Sequence, residues 1–165
     1  MSTTPISIRP FAPADALRLE RILTDAFVPV FASFRAIVGR EIAAVALANA
    51  EAEQRSLLAS LCEPTPDSKA FVATRDGDVV GFACVKLDRA QTMGEVVLDA
   101  VAPTEAGRGA GTALVKHALA FMRAEGMRVA VVGVGGDESH APARRTYAKA
   151  GFRVGIPSIH MYQTL

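Results

Sequence analysis

The chain has 165 residues, of which 50% are hydrophobic and 21% are charged. A chain of this length buries about 70% of its unfolded surface, so we expect one folded domain over residues 1–165. Its 18 basic and 17 acidic residues leave a formal net charge of +1, with no long block of one sign. This balance argues against nucleic acid as an electrostatic partner.

The amino-terminal segment MSTTPISIRP has neither the basic start nor the apolar core of a signal peptide. No uninterrupted apolar run approaches the ~20 residues that a membrane-spanning helix needs. We therefore expect a cytoplasmic protein with no membrane segment. Cys62 and Cys84 lack metal-ligand spacing and are expected to be reduced core residues, and His117 and His160 are too scattered for a metal site.

Hydrophobic periodicity predicts alternating strands and helices in the first part of the chain. The expected elements are a strand at 6–9, a helix at 13–27, an alanine-rich helix at 42–61, and a hairpin of strands at 70–74 and 79–87. The hairpin prediction rests on Asp76-Gly77, a strong turn signal between two apolar runs. The apolar and aromatic passage VPVFASFRAIVG, between the two helices, predicts no element.

The second part of the chain predicts two strands joined by a helix, and such a connection makes the strands parallel. The expected elements are a central strand at 95–102, a helix from the following glycine-rich turn to Gly126, a buried strand at 128–134, a helix at 143–150, and closing strands at 152–154 and 159–163. The fold class is therefore α/β. The last strand would lie at a sheet edge, where it could support pairing of two chains in a homodimer.

The most informative segment is the glycine-rich turn TEAGRGAGT, which follows an apolar strand and opens a helix. Gly107, Gly109 and Gly111 allow positive φ angles and close approach of a ligand to the backbone. The helix start adds free N–H groups and the positive end of a dipole, which together favour a phosphate. The spacing matches neither the dinucleotide fingerprint G-x-G-x-x-G nor a Walker sequence, so nucleotide hydrolysis has no support.

From this turn onward the sequence resembles the GNAT superfamily of N-acetyltransferases. The preceding strand ends in V-x-P at Val101, Ala102 and Pro103, and the turn is similar to the family's Arg/Gln-x-x-Gly-x-Gly/Ala. The segment ARRTYAKAGF resembles the family's A-x-x-L-Y-x-K-x-G-F. Two positions depart from the family pattern: Ala106 replaces its Arg or Gln, and His140 replaces its frequent Asn.

The resemblance implies a mixed, mostly antiparallel sheet with a splayed parallel central strand pair, flanked by helices. It implies acetyl-CoA as co-substrate, no metal, and a primary amine of a small molecule or peptide as acceptor. The pantetheine arm of the cofactor would lie between the two splayed strands. The residues expected to contact the cofactor are Ala100, Val101, Gly107, Arg108, Gly109, Ala110, Gly111, Thr112 and His140.

A general base is useful in such a site, because only about one lysine-like amine in 2,500 is neutral at pH 7. Glu95 and Asp99 are the carboxylates of the central strand, both of one parity and about 13 Å apart along it. The segment EVVLDAV resembles the histone-type branch of the family, whose leading Glu is the base, which favours Glu95. A β-bulge could turn Asp99 inward instead, an ordered water could serve as base, and Glu95 could equally be an exposed strand residue.

Tyr147 is the candidate general acid, because a phenol of pKa ~10 can protonate a departing thiolate of pKa ~8.5. The alternative is a tyrosine that packs between helix and sheet. Two functions are therefore compatible with the sequence. The first is an N-acetyltransferase, favoured by Tyr147 and Glu95. The second is a catalytically silent domain that binds acyl-CoA as a sensor or only interacts with a partner, weakly favoured by Ala106.

Overall fold

The centre of the protein is a five-stranded sheet, seen in a computed structural model that describes residues 4–165. The strands follow the chain order β1 (Ser7–Pro10), β2 (Ser68–Arg75), β3 (Asp78–Asp88), β4 (Met93–Val101) and β5 (Val129–Val132). β1 to β4 pair antiparallel, and β4 pairs with β5 in parallel. The predicted fold class is confirmed, and the hairpin turns at Asp76 and Gly77, both with positive φ.

Residues 4–165 contain four α-helices: α1 (Ala16–Ala46), α2 (Ala50–Cys62), α3 (Ala110–Ala124) and α4 (Ala141–Ala150). Apolar residues of α1 and α2, such as Leu23 and Leu58, are buried in one core cluster with the sheet. Leu114 and Met122 of α3 are buried in a second cluster. Because β2 and β3 carry apolar side chains on both faces of the sheet, a helix layer on each face is needed to bury them.

The apolar passage that predicted no element forms the second part of α1. Its Val30 and Phe31 are buried, which gives these side chains a place in the core. Pro29 lies inside the helix, and the helix geometry breaks at Gly39, whose φ is +81°. The single helix predicted over residues 42–61 is wrong, because a turn at 47–49 separates α1 from α2. Alanines run through this turn, so the periodicity does not reveal it.

One helical segment of the described chain, Pro13–Ala46, is long and apolar enough to cross a membrane by length and composition alone. Core helices of globular proteins pass the same test. Leu19, Ile22 and Leu23 of this segment are at most 1% exposed, within the core cluster that includes the sheet. The expectation that the chain has no membrane segment stays a prediction.

The carboxyl-terminal region differs from its prediction. The strand expected to be buried, β5, is half-exposed, with Val129 and Val131 open to solvent. The strands expected at 152–154 and 159–163 are not formed, and the chain has no regular structure after Gly151. A strand needs a partner for its backbone N–H and C=O groups, and no described residue pairs with these segments. Cys62 and Cys84 are free thiols, as expected.

Candidate active site

The two parallel strands diverge at the carboxyl end of β4. Their pairing runs from Met93 opposite Val129 to Val96 opposite Val132, whereas β4 continues to Val101. From residue 97 onward, the edge of β4 that faces β5 therefore has no strand partner within residues 4–165. The predicted splayed pair is present, and Ala100 and Val101 lie on its unpaired part.

A β-bulge decides which carboxylate of β4 faces which side of the sheet. Leu98 pairs with Cys84 but Val96 pairs with Val85, so Val97 is an extra residue in β4. Before the bulge, Val96 packs into the cluster of α3. After it, Leu98 packs into the cluster of α1 and α2, although both residues have even numbers. The bulge reverses the alternation of faces along the strand.

Glu95 and Asp99 consequently lie on opposite faces of the sheet, although their equal parity in the sequence predicted a common face. Asp99 faces the side of α3, where the Tyr147 hydroxyl of α4 donates a hydrogen bond to Asp99 Oδ1 at 2.6 Å. Glu95 is exposed on the other face. The structure therefore brings Tyr147 to Asp99 and not to Glu95, and the inward-turned Asp99 that a bulge would produce is the arrangement observed.

Burial controls the protonation of this pair. Removal from water raises the pKa of the buried Tyr147 phenol, and the nearby Asp99 carboxylate raises it further. Desolvation also raises the pKa of Asp99, although the hydrogen bond from Tyr147 acts in the opposite direction. Tyr147 is therefore a neutral hydrogen-bond donor at physiological pH.

The glycine-rich turn forms an open cradle of backbone amides at the start of α3. Gly107 has φ +75°, and Gly109, the N-cap of α3, has φ +93°. An added Cβ at either glycine would meet no atom within 4 Å, so the space above them is open. Within the described chain, no acceptor is found for a set of adjacent N–H groups, those of Gly107, Gly109, Ala110, Gly111 and Thr112. The cradle therefore has the geometry of an anion site.

Gly111 is also a packing position. A Cβ at this position would lie 3.4 Å from Thr146 Cγ2 and 3.5 Å from Val101 Cγ2. These are ordinary packing distances, so Gly111 sits where α3, α4 and the end of β4 meet. Its small size brings the cradle close to the helix that carries Tyr147.

Arg75, at the end of β2, supports the cradle and is not among the predicted site residues. Its buried guanidinium donates to the carbonyl of Arg108 at 3.1 Å and lies 2.9 Å from Glu105 Oε2. The Arg108 side chain donates to Glu105 Oε1 at 2.5 Å and is 43% exposed. The turn is thus held by its own ion pairs, and the arginine expected to assist a phosphate is engaged with a carboxylate.

A second loop joins β5 to α4 and is closed by Asp137. Asp137 Oδ2 accepts from Ser33 Oγ of α1 at 2.7 Å, from the Ser139 N–H at 3.2 Å, and from the Ser139 hydroxyl. His140 Nδ1 lies 2.6 Å from Asp137 Oδ1. Since a carboxylate only accepts, the proton of this contact is on Nδ1, which donates it to Asp137.

The hydrogen bonds to Asp137 decide its ionisation. Partial burial disfavours its charge, but the bonds from Ser139, Ser33 and His140 outweigh this and hold the pKa of Asp137 well below its usual range. Gly135 makes the contact possible, because a Cβ there would lie 2.5 Å from His140 Nδ1 and 2.7 Å from Asp137 Oδ1. The run GVGGDES carried this signal, since a glycine beside a carboxylate and hydroxyls is typical of a tight loop.

Aromatic side chains of α1 lead to this loop. The rings of Phe27 and Phe31 lie 6.1 Å apart, those of Phe31 and Phe34 lie 6.4 Å apart, and Phe34 stacks on His140 at 5.6 Å. His140 is therefore fixed between Asp137 and Phe34. A cavity of about 440 Å³ lies further along, between α1 and α2, and neither Tyr147 nor Asp99 lines it.

A metal site is not found in the described part of the chain, where no group of three or more His, Cys, Asp or Glu side chains could hold an ion. An extended cofactor with phosphates does suit the residues present. The cradle offers unpaired N–H groups with open space above them, and the diverging strands offer an unpaired backbone edge next to it.

Residues 37–152 match the Acetyltransferase (GNAT) family, over more than two thirds of the chain. The chain belongs to this family. Proteins of the GNAT family take their acetyl group from acetyl-CoA. The resemblance drawn from the glycine turn and from the helix of Tyr147 is confirmed.

Two curated relatives are mycothiol acetyltransferases. The one from Streptomyces scabiei is 32% identical over 157 residues, which cover 88% of this chain and 47% of the relative. The one from Sanguibacter keddieii is 35% identical over 114 residues, which cover 66% of this chain and 36% of the relative. The chain thus spans less than half the length of these relatives.

Solved structures share the fold. The PaiA N-acetyltransferase from Thermoplasma acidophilum, in complex with coenzyme A, has a TM-score of 0.71 at 18% identity and covers 93% of both chains. The ribosomal-protein-S18-alanine N-acetyltransferase from Escherichia coli has a TM-score of 0.65 at 18% identity, covering 92% of this chain and 80% of its own. At these identities the likeness concerns the fold alone.

Proposed function

We propose that this protein is an acetyl-CoA-dependent N-acetyltransferase that transfers the acetyl group directly to a primary amine of a small molecule or peptide. The observation that supports this most is the junction of three features: the open amide cradle, the unpaired edge of β4, and the Tyr147 hydroxyl beside that edge. Family membership supports the reaction class, and the named relatives and solved neighbours act on different acceptors.

The binding part of the proposal assigns the pyrophosphate of acetyl-CoA to the cradle. Backbone amides from Gly107 to Thr112 would hold it, because the side chain of Arg108 is engaged with Glu105 and Ala106 has no polar group. The edge of β4 that has no strand partner, along Ala100 and Val101, would hold the pantetheine arm. Once bound, acetyl-CoA supplies an activated acyl group as a thioester.

The proton leaving the amine goes to a base, for which we propose Glu95. Its carboxylate is exposed on the face of β4 opposite Tyr147, where an acceptor amine can reach it from solvent. Because the amine nitrogen and the sulfur are bonded to the same carbon during transfer, the proton would reach Glu95 on the opposite face through an ordered water. Asp99, the alternative base, is already an acceptor for the Tyr147 hydroxyl, so we assign it to positioning of that phenol.

Tyr147 is proposed to stabilise the thiolate that departs when the carbon–sulfur bond breaks. Burial and Asp99 raise the pKa of this phenol above its usual ~10, so full proton transfer to a thiolate of pKa ~8.5 would be uphill by at least about 2 kcal/mol. We therefore expect Tyr147 to act first as a hydrogen-bond donor to the sulfur. His140, whose ring is held by Asp137 through Nδ1, is proposed as a cofactor contact at the start of α4.

The acceptor is expected to have an apolar part next to its amine. The aromatic row of Phe27, Phe31 and Phe34 leads along α1 toward His140 and would pack against such a group. We propose a cytoplasmic setting, the compartment in which acetyl-CoA is generally available to enzymes of this class.

The proposal is tested by titrating coenzyme A into the full chain by calorimetry and by measuring thiol release from acetyl-CoA with polyamines, aminoglycosides, amino acids and peptides. We expect saturable binding and thiol release with at least one acceptor class. The matched control for binding is Gly126→Val, which strains a positive φ of +83° just after α3 as Gly109→Val does at +93° at the start of that helix.

Each outcome decides between the functions. Binding of coenzyme A without thiol release from any acceptor supports the acyl-CoA sensor and contradicts the transferase. Absence of binding contradicts both. Equal binding by the wild type and Gly109→Val would show that the cofactor does not use the cradle.

A further inference from the structure

The buried arginine at the end of β2, Arg75, is bonded to the backbone of the cradle itself. Its side chain is 6% exposed, and its Nε lies 2.9 Å from Glu105 Oε2. The guanidinium also donates to the Thr4 carbonyl at 2.6 Å and to the Arg108 carbonyl at 3.1 Å. A buried charge needs a partner of opposite charge, and Glu105 meets that need. The bond to the Arg108 carbonyl is therefore an additional contact, which charge pairing alone does not require.

This bond determines the direction of the next N–H group of the chain. The peptide between Arg108 and Gly109 is trans and planar, so its C=O and N–H groups point in opposite directions. Because the carbonyl points to the guanidinium of Arg75, the N–H of Gly109 points away from it. No acceptor for this N–H is found within residues 4–165, and the space above Gly109 is open. The observed orientation thus presents the N–H to an incoming anion.

The opposite orientation of this peptide is also accessible to the chain, because a glycine follows it. Rotation of the peptide by half a turn would move φ of Gly109 from the observed +93° into the negative region. Glycine adopts positive and negative φ about equally readily, so the backbone of Gly109 does not choose between the two forms. In the rotated form the Arg108 carbonyl oxygen would face the anion and repel it. A contact from outside the turn decides the orientation, and Arg75 supplies that contact.

We propose that Arg75 is a positioning residue for cofactor binding, whose bond to the Arg108 carbonyl holds the Gly109 N–H toward the pyrophosphate of acetyl-CoA. This inference rests on the proposed function, which assigns the pyrophosphate to the cradle. Since its side chain is buried, Arg75 acts through the backbone and not by contact with the phosphate. Without Arg75, part of the molecules would have the rotated peptide, and the apparent affinity would fall by the fraction that keeps the binding orientation.

A double variant separates this role from a general loss of stability. Arg75→Met alone would leave the buried Glu105 Oε2 without its partner and would destabilise the fold. In Arg75→Met/Glu105→Gln both charges are removed, and only neutral groups stay buried. The side chain of Arg108, released from Glu105, favours an anion, so its release cannot cause a loss of affinity.

The matched control is Arg9→Met/Asp15→Asn, which neutralises another arginine–carboxylate pair of the same protein. Arg9 Nη1 lies 2.7 Å from Asp15 Oδ2, and the Asp15 side chain is 9% exposed. Neither residue has a hydrogen bond to the cradle within residues 4–165. The control therefore loses a comparable ion pair without a change at the peptide between Arg108 and Gly109. Circular dichroism checks that both double variants are folded.

Calorimetry with coenzyme A and NMR spectroscopy of the full chain measure the two expected effects. Arg75→Met/Glu105→Gln should bind coenzyme A at least about 10-fold more weakly than the wild type, and the control should keep the wild-type affinity. The nuclear Overhauser effect between the Arg108 Hα and the Gly109 amide proton reports the orientation of the peptide, because rotation changes their separation. Its intensity should change in the free double variant and return toward the wild-type value at saturating coenzyme A.

The outcomes distinguish this inference from the proposed function. A folded Arg75→Met/Glu105→Gln with the wild-type Overhauser effect would overturn the inference, because the peptide would keep its orientation without Arg75. A rotated peptide with unchanged affinity, or an equal loss of affinity in the control, would also overturn it. All three results leave the proposed function intact. A wild type that binds no coenzyme A would contradict the proposed function and, with it, the role of Arg75 in binding.

Discussion

Two loops of this protein each connect one of the two parallel strands to the helix that follows it. The polar groups of the two loops are arranged in opposite ways. The loop from β4 to α3 has adjacent N–H groups without acceptors and open space above Gly107 and Gly109. In the loop from β5 to α4, Asp137 accepts from Ser33, Ser139 and His140, and Arg144 donates to the carbonyls of Gly135 and Asp137.

The difference shows how one strand–loop–helix unit can serve either binding or closure. A helix start offers free N–H groups in both loops. Where the sequence supplies its own carboxylate, as at Asp137, that carboxylate accepts hydrogen bonds from the loop and links the loop to α1. Where it supplies glycines and directs its carboxylate, Glu105, to Arg75 and Arg108 below, the amides remain free for an external anion.

The largest effect expected is on the open loop. Gly109→Val should reduce coenzyme A affinity by at least about 100-fold, or 2.7 kcal/mol, because the side chain would occupy the space above the amides. Strain at φ +93° should cost stability as well, about 1–2 kcal/mol. Calorimetry measures the first effect and thermal unfolding the second.

Gly126→Val should match the stability loss of Gly109→Val without the affinity loss, since it adds similar strain at the end of α3 that lies away from the cradle. Arg108→Ala should lower affinity only about two-fold to three-fold, because its guanidinium already pairs with Glu105 at an exposed site. A large loss of affinity in Arg108→Ala would mean that the side chain and not the backbone holds the anion.

The second prediction concerns the helix that follows the closed loop. Tyr147→Phe should lower kcat by about 10-fold to 100-fold, since water can partly replace the phenol, with little change in KM for acetyl-CoA. Thiol-release kinetics with any acceptor found gives both constants. A parallel rise in KM would indicate that Tyr147 packs the cofactor and does not assist the leaving thiolate.

The third prediction concerns the strand that leads into the open loop. Glu95→Gln should lower the rate about 10-fold near pH 7 and recover as the pH approaches the pKa of the acceptor amine, where the neutral amine needs no base. The pH profile of thiol release from pH 6 to 10 measures this recovery. Wild-type rates in Glu95→Gln at pH 7 would reassign the base, and Asp99→Asn would then be the variant to compare.

A substitution of Asp137, in the closed loop from β5 to α4, is expected to change activity least, although it should clearly lower stability. Asp137→Asn should lower the free energy of unfolding by about 1–3 kcal/mol, because it removes the charge from four hydrogen bonds. The folded pKa of Asp137 is depressed, so its contribution is complete above the usual carboxyl pKa of about 4 and is lost as pH falls below it.

The difference in thermal midpoint between the wild type and Asp137→Asn should therefore narrow in acid below that pH. Asp25→Asn, at an exposed position of α1, is the control and should change the midpoint little at any pH. A constant difference across the pH range would mean that the charge of Asp137 does not stabilise the loop.

Several features of the fold were predictable because their causes are local. Asp76-Gly77 defines its hairpin through backbone conformation alone, and the glycines before α3 indicate an amide cradle for the same reason. Tyr147 was predicted as a site residue from the local segment ARRTYAKAGF, which resembles the family pattern, and it is the buried residue of α4. The wrong helix over residues 42–61 had a local cause too, since alanine runs contain no signal for a turn.

Other features depended on contacts between distant residues. By parity alone, Glu95 and Asp99 would lie on one face of β4. The register with β3 makes Val97 a bulge residue, and the two carboxylates therefore lie on opposite faces. Arg75 supports the cradle by a bond to Arg108, which lies 33 positions later in the chain. Ser33 donates to Asp137, which lies 104 positions later. The spacing of residues in the sequence does not indicate such pairs.

The sequence by itself determined the fold class, the family and the open cradle, because glycine content, hydrophobic period and turn residues act through the local backbone. Tertiary structure decided which carboxylate meets Tyr147, which loop is closed by its own aspartate, and that the strands expected after α4 do not form. These outcomes depend on strand register, on burial and on the presence of a pairing edge, and each of them is a property of two segments that the chain must first bring together.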